Sequence, residues 1–246
     1  MALSAPDAIL ECMKVVAHRG ASGLEPENTL RAVRRAFELG ADWVEVDVRV
    51  SRDGRFVVIH DEAVDRTTDG SGLVSDMTFE ELRRLDAGMG ERIPCLEEVL
   101  EEAEGRGTLV VEVKVPRHEW RLMELLRSMD AFERVVLSSF YHRSVRKVKR
   151  LNPSVRTGVI ISSQPVSPSS VVAEALADMA FIKAKYVEPW VVDELHDAGV
   201  EVYPWTVDEP RRVRAFMEMG VDGLVTNRPD IARRVLEGYG SHRRNV

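Results

Sequence analysis

The chain is poor in cysteine. Cys12 and Cys95 are the only two in 246 residues, and no CxxC or Cys/His ligand spacing occurs. That pattern excludes a disulfide scaffold and a thiolate zinc site, and it makes a reducing, cytoplasmic setting the expectation. Long apolar runs are also lacking. The opening stretch MALSAPDAILECM carries Asp7 and Glu11 and has no basic start, so it reads as neither signal peptide nor membrane span. A basic excess is missing too: 34 Lys and Arg face 41 Asp and Glu, a formal net charge of −7. A nucleic-acid surface normally announces itself with a basic patch. The only basic cluster, His242-Arg243-Arg244, reads as a solvated terminus. Internal repeats and low-complexity tracts are absent, apart from the Ser/Pro-rich stretch Ser162–Ser170, which reads as a plain loop.

What is present is a soluble composition, 44% hydrophobic and 30% charged, arranged as a regular alternation. Short β-branched runs fall at Lys14–His18, Trp43–Val50, Thr108–Val115, Arg134–Ser138, Arg156–Ile160, Met179–Ile182, Val200–Trp205 and Gly223–Thr226. Amphipathic segments lie between them: Leu30–Leu39, Trp120–Met129, Tyr141–Leu151, Pro189–Ala198, Pro210–Met219 and Pro229–Leu236. Pro in the first turn and Gly just past the end punctuate several of these helices. Eight strands with intervening helices predict an α/β fold, a TIM (β/α)8 barrel, over a doubly wound open sheet that usually stops at five or six strands. One domain over 1–246 is expected, with a short helix over Pro6–Cys12 across the barrel bottom. The stretch Ser51–Pro94 is too long for a βα connection, so residues 51–94 read as a small inserted region after the second barrel strand. Within it we expect a Ser51–Gly54 turn, a returning strand Arg55–His60, a polar loop and a helix near Thr78–Leu85.

Ionisable groups on strands this apolar are the informative feature, because burying an unpaired charge is costly. In WVEVDVRV, Val44, Val46 and Val48 alternate with Glu45, Asp47 and Arg49. Side chains alternate faces along a strand, so the valines should pack on helices while Glu45 and Asp47 point into the barrel. Two carboxylates about 6.6 Å apart on one strand face repel unless a cation lies between them. Glu112-x-Lys114 repeats the device on the next barrel strand, about 4.8 Å away, so Glu112 completes a three-carboxylate cluster. An all-oxygen ligand set favours Mg²⁺ or Ca²⁺ over zinc, with Mn²⁺ as a further candidate. From spacing alone, a buried ion-pair network through Arg19, Arg49 and Lys114 is the alternative.

His18 ends the first strand and His60 ends the strand of the insertion, each followed by a charged residue, Arg19 or Asp61. A histidine pair suits general base and general acid near neutral pH. Arg19 and Lys114 suit non-bridging phosphate oxygens, Arg through its planar fork and Lys as a point charge. His118, His142, His196 and His242 fall in helices or tails and read as surface residues.

The stretches AHRGASGLEPENTLRAVRRAFELGADWVEVDVRVSRDG, VVIHDEAVDRTTDGSGLVSDMTFEELRRLDAG, RIPCLEEVL, VEVK, LSSF, PWTVDEP and GVDGLVTNRPD span roughly residues 14 to 232. Together they resemble the glycerophosphodiester phosphodiesterases. The resemblance implies a TIM barrel that hydrolyses glycerophosphodiesters to an alcohol and glycerol 3-phosphate with a divalent metal. It implies Glu45, Asp47 and Glu112 as metal ligands, His18 and His60 as acid and base, and Arg19 and Lys114 as phosphate contacts. Cys95 departs from the Thr common in that family before the LEEVL helix. Among the other matched residues, Phe140 and Trp205 read as walls of the substrate pocket, against an alternative of core packing. Asn28 reads equally as helix N-cap or substrate contact. Thr226-Asn227-Arg228 reads as a turn into the last helix. Lys183 and Lys185 read as a solvated edge.

Two other readings have to be separated from this one. A lysophospholipase D, or a phospholyase releasing a cyclic phosphate, would run the same chemistry on lipids, although no apolar stripe or stable membrane anchor is evident. A non-catalytic phosphodiester-binding barrel would have lost ligands or histidines, and none is lost. The expected partner is a small-molecule glycerophosphodiester, and nothing in the sequence speaks to oligomeric state.

Overall fold

The computed structural model describes residues 13–243. The expected helix over Pro6–Cys12 lies outside the described residues, as do the side chains of the basic tail His242-Arg243-Arg244. Nine strands form one sheet: β1 (Lys14–Ala17), β2 (Trp43–Val50), β3 (Phe56–Val58), β4 (Thr108–Val113), β5 (Val135–Ser139), β6 (Arg156–Ile161), β7 (Met179–Lys183), β8 (Glu201–Trp205) and β9 (Gly223–Thr226). Eight are parallel neighbours in the order β8-β7-β6-β5-β4-β2-β1-β9, while β3 pairs antiparallel with β2. Hydrogen bonds from Asp222 N to Val202 O (3.2 Å) and from Val207 N to Val225 O (2.8 Å) bring β9 back beside β8. The ring is a nearly closed TIM barrel, and the open sheet is discarded.

The period-2 pattern of β2 sorts as expected. Val44, Val46 and Val48 pack outward with Val33, Ala36, Leu96 and Val99 of the surrounding helices. Trp43 faces inward with Val16, Val110, Val136, Ile160, Met179, Phe181, Tyr203 and Val225, the packed interior of the barrel. Trp43 stacks on Tyr203 with ring centroids 5.2 Å apart, and Phe181 lies 5.2 Å from the same ring. Two glycines make room for them. A Cβ on Gly158 would fall 2.5 Å from Phe181 Cε2, and one on Gly223 2.5 Å from Tyr203 Cε1. This aromatic layer fills the barrel and floors the cavity above it.

The helices are α1 (Leu30–Glu38), α2 (Phe79–Leu82), α3 (Leu96–Glu102), α4 (Glu119–Ser128), α5 (His142–Leu151), α6 (Pro168–Ala175), α7 (Pro189–Asp197), α8 (Pro210–Met219) and α9 (Pro229–Arg243). Two sequence expectations are corrected here. Ser162–Ser170 is not all loop, because Ser167 accepts the amide of Ser170 as an N-cap and Pro168 opens α6. The last helix runs well past Leu236, through Gly238, a residue that weakens a helix by about 1 kcal/mol without ending it.

After β2 the chain makes the expected hairpin: Gly54 takes a positive φ of 84° and its amide donates to Ser51 O. β3 then returns with Val48 opposite Val58 and Val50 opposite Phe56. The rest of the 51–94 segment folds on a small cluster of its own, Val57, Ile59, Val64, Val74, Leu82, Ala87 and Ile93. A Thr78–Glu81 capping box starts α2. The segment thereby becomes a rigid shoulder that carries His60 to the rim of the barrel.

Candidate active site

Strand register assembles the acidic cluster. Asp47 of β2 lies opposite Glu112 of β4, and Glu45 sits one inward-facing position earlier on β2. Each of the three offers a carboxylate oxygen within 4.8 Å of the other two, and all three side chains are buried. His18 follows β1, its amide held by Thr226 O at 2.8 Å, and His60 follows β3. A cavity of about 170 Å³ is bordered by His18, His60, Arg19, Glu45, Glu112 and Lys114, with Phe181 and Ile160 beneath and Phe140 and Trp205 at the side. Phe140 meets Trp205 edge to face, centroids 5.8 Å apart, and Trp205 Nε1 donates to Phe181 O at 3.1 Å. All nine residues singled out from sequence thus converge on one end of the barrel, eight lining the cavity and Asp47 directly behind it.

The charges in this cluster do not balance. Lys114 Nζ lies 3.0 Å from Asp47 Oδ1 and 2.6 Å from Glu112 Oε1. Arg19 Nε lies 3.3 Å from Asp47 Oδ2. Arg49 turns away instead, donating from Nε to His60 O at 2.8 Å. The ion-pair alternative therefore accounts for only part of the site. Two cations serve three carboxylates, and Glu45 Oε1 is buried with no hydrogen-bond partner, its Oε2 accepting the Arg19 amide at 2.9 Å.

Protonation follows this imbalance. Burial works to raise the Asp47 carboxyl, but Lys114 and Arg19 overcome it and hold the group below its ordinary range. Burial, with Asp47 next, pushes Glu112 up to about 7. Burial, with Asp47 and Glu112, drives Glu45 well above its ordinary value. Three buried carboxylates that resist ionising together, one with a bare oxygen, fit a hard divalent cation. Glu45, Asp47 and Glu112 would hold it.

The two histidines are tethered differently. His18 Nδ1 lies 2.8 Å from Asn227 Oδ1. Asn227 donates from Nδ2 to Asp208 Oδ2 at 2.7 Å, and its backbone amide donates to Asp208 Oδ1 at 2.8 Å. The amide oxygen therefore faces the imidazole, Nδ1 is the donor, and neutral His18 has a bare Nε2. Burial, then Arg19, lowers its pKa. His60 Nδ1 instead donates to Asp61 Oδ1 at 2.5 Å. Burial lowers the His60 pKa as well, while Asp47 and the bond to Asp61 pull it upward. Asp61 is held far below the ordinary carboxylate range, first by its hydrogen bonds to Arg66. Arg66 continues to Glu27 (2.7 and 2.9 Å), and Glu27 accepts from Arg19 at 2.8 Å. One chain of ion pairs thus joins the inserted shoulder to the barrel.

Several of these residues are left open or unmarked by the sequence. Asn28 does not cap α1; Thr29 does, accepting the amide of Ala32. Asn28, at a positive φ of 59°, donates from Nδ2 to Asp47 Oδ2 at 2.9 Å and accepts the Asp47 amide at 3.1 Å. Two successive capping residues before one helix were the signal, since only one can cap. Asn227 does more than turn the chain, and Asp208, Glu27 and Arg66 carry no periodicity that would mark them. Among the described residues, His118, His142 and His196 are not part of the cavity's lining. His142 Nε2 lies 3.0 Å from Ile160 O, and His196 Nε2 lies 2.9 Å from Asp222 at the opposite mouth. Lys183 stands over the Trp205 ring at 5.9 Å, at the solvated edge.

Chemistry at the C-terminal ends of parallel barrel strands defines the class: a TIM-barrel enzyme. Comparison with known proteins narrows it. The profile of the Glycerophosphoryl diester phosphodiesterase family matches residues 18–231. The glycerophosphodiester phosphodiesterase of Caldanaerobacter subterraneus subsp. tengcongensis is 40% identical over 229 residues, 88% of this chain and 94% of that protein. A solved glycerophosphodiester phosphodiesterase from Agrobacterium tumefaciens has a TM-score of 0.80 at 32% identity, over 89% of this chain and 98% of its own. A phosphodiesterase of Oleispira antarctica, solved with the product sn-glycerol-3-phosphate, has a TM-score of 0.84 at 28% identity, over 92% and 98%. The chain belongs to the glycerophosphoryl diester phosphodiesterase family and is thereby a phosphoric diester hydrolase.

Proposed function

We propose that the protein hydrolyses glycerophosphodiesters to an alcohol and sn-glycerol 3-phosphate, using His18 as general base and His60 as general acid beside a divalent metal. The observation that carries the roles is the difference in tethering. A neutral acceptor, Asn227, leaves His18 an uncharged imidazole with Nε2 free to take a proton. A carboxylate, Asp61, supports the imidazolium form of His60. His18 removes the proton from the attacking hydroxyl as its oxygen bonds to phosphorus. The bond from phosphorus to the alcohol oxygen breaks, and His60 delivers a proton to that oxygen. Arg19 and Lys114 neutralise the non-bridging oxygens in this reading. A cation held by Glu45, Asp47 and Glu112, either Mg²⁺ or Ca²⁺ with Mn²⁺ as a substitute, supplies Lewis-acid stabilisation of charge on the phosphoryl group. Phe140 and Trp205 wall the organic part of the substrate.

The attacking hydroxyl belongs either to water or to the substrate's own glycerol. In the second case a cyclic 1,2-phosphate forms first and water opens it. Cyclic glycerol phosphate appearing during turnover identifies that route, and one-step incorporation of solvent oxygen without it identifies the other.

The functional unit in this reading is one domain over 1–246 with the inserted region 51–94 as the rim that presents His60. A cytoplasmic location is part of the proposal and rests on thiol chemistry, with Cys95 buried as a free thiol. Among the described residues no helix is long and apolar enough to cross a membrane.

The deciding experiment is a glycerophosphodiester panel assayed with EDTA-stripped enzyme and added Mg²⁺, Ca²⁺ or Mn²⁺. Turnover that returns with one of these ions is expected. Full activity after exhaustive chelation would sink the metal assignment, and retained turnover after changing both His18 and His60 to Ala would sink the histidine assignment. Faster turnover of lysophosphatidylcholine than of glycerophosphocholine would transfer the protein to the lipid-directed reading.

A further inference from the structure

A second cavity, of about 410 Å³, shares one lining residue with the catalytic one, Lys114. It sits between the end of β2 and the inserted region, with Arg49, Arg52 and Tyr141 among its lining residues. Of the consecutive residues Phe140 and Tyr141, the first lines the catalytic cavity and the second lines the other. This is also the side of the site on which His60 is mounted, because Arg49 Nε holds the His60 carbonyl.

Arg49 is the unusual member. Its side chain is 15% exposed, and its guanidinium is fixed at one end by the bond to His60 O. Among the described residues its Nη groups make no hydrogen bond. Their carboxylate neighbour, Glu62, lies 3.8 Å away on a side chain that is 79% exposed. A largely buried guanidinium, fixed at Nε with its fork open toward a cavity, is preorganised to take a carboxylate or phosphate. Arg52 stands in the same wall, although its guanidinium is shared with Glu81 and the Asp76 carbonyl.

We propose that this cavity is the leaving-alcohol subsite and that Arg49 makes it selective for alcohols bearing an anionic group, a carboxylate or a phosphate ester. The inference rests on the phosphodiesterase reading and on His60 as the group that protonates the leaving alcohol. An alcohol departing on the His60 side enters the space that Arg49 faces, with Tyr141 against its carbon chain. Neutral and cationic alcohols gain nothing from the open guanidinium.

The test uses glycerol 3-phosphate esters of ω-hydroxy acids of three to five carbons, paired with the esters of their amides. For the pair that reaches Arg49, we expect kcat/KM to favour the acid by about tenfold or more, the value of one charge-assisted hydrogen bond. The difference should lie in KM. Arg49→Gln should bring the acid-to-amide ratio near one, whatever both esters lose together through the bond to the His60 carbonyl. Glu62→Gln, at an exposed position, should raise the ratio. Equal reduction of acids and amides in Arg49→Gln would overturn the proposal, since Arg49 would then only support His60. Calorimetric binding of the same pairs to His18→Ala separates the two levels of the argument. Acid preference in binding without turnover in the unchanged enzyme would support this subsite and fail the hydrolase reading. Equal Kd values for acids and amides would overturn the subsite whatever the turnover.

Discussion

Both mouths of the barrel carry charged side chains at strand ends, and they balance them in opposite ways. At the N-terminal mouth Arg156 pairs with Glu201 at 2.8 and 3.0 Å and lies over the Trp43 ring, and Tyr203 donates its hydroxyl to the same Glu201 at 2.7 Å. His196 and Asp222 pair nearby. Positive and negative groups there answer one another while remaining partly exposed. At the C-terminal mouth three carboxylates are buried against two cations, and Glu45 Oε1 meets no donor. A fold gains nothing in stability from that arrangement, since uncompensated buried charge is destabilising. The first mouth closes the barrel, whereas the second holds free energy in reserve for a ligand.

The largest expected consequence of this asymmetry is catalytic. His18→Ala and His60→Ala should each lower kcat by about 10²- to 10⁴-fold, measured on glycerophosphocholine with saturating metal, while the thermal midpoint stays nearly unchanged. A loss smaller than tenfold in either variant would remove that histidine from proton transfer. Arg66→Ala should cost about 10- to 100-fold, the effect typical of a residue that orients a catalytic shell. The reason is that Arg66 fixes both Asp61 and Glu27. If Arg66 acts through His60, its loss should shift the alkaline limb of the kcat pH profile, where the general acid loses its proton. A purely structural role would lower kcat without moving that limb.

The next effect is in proton linkage. With no metal, folded Glu112 binds its proton up to about pH 7, against an ordinary value of 4.5. Between those values the folded state holds more protons than the unfolded one. The metal-free protein should therefore lose stability as pH rises from 4.5 to 7, and Glu45, raised in the same direction, adds to the loss. A cation must displace that proton, so its affinity should weaken by at least about tenfold for each pH unit below 7. Titration calorimetry in buffers of different ionisation enthalpy counts the protons released. Zero release at pH 6 would show that Glu45 and Glu112 are already ionised in the metal-free site.

The two mouths also differ in how much of them could be read from sequence. Alternation in WVEVDVRV, repeated in TLVVEVKV, was enough to set Glu45, Asp47 and Glu112 facing inward, because strand parity is a local property. Positions at strand ends marked His18 and His60. What tethers those side chains was not legible: Asn227 and Asp208 reach His18 from more than 180 residues away in the chain, and Arg66 meets Glu27 only after the insertion has folded. Contacts of that kind leave no period in the sequence. For Asn28 only the cap alternative fails, because the local rule for helix caps describes its neighbour Thr29 instead. The helix α6 was hidden because Ser and Pro mark loops and helix starts alike.

The smallest effect, and the sharpest contrast between the mouths, comes from making one substitution at each. Glu201→Gln removes a partly exposed ion pair that Tyr203 can still hydrogen-bond, so it should lower the thermal midpoint by about 1–4 °C and leave kcat unchanged. Glu112→Gln relieves a carboxylate that resists ionising, and Lys114 keeps Asp47 as a partner. In metal-free protein at pH 8 it should raise the midpoint while abolishing the response to added metal. Loss of one negative charge would thus destabilise the mouth whose charges are matched and stabilise the one whose charges are not. Calorimetric scans of both variants, with and without metal, read the sign directly. Two shifts of the same sign would mean that the acidic cluster is held together by its own ion pairs rather than completed by a cation.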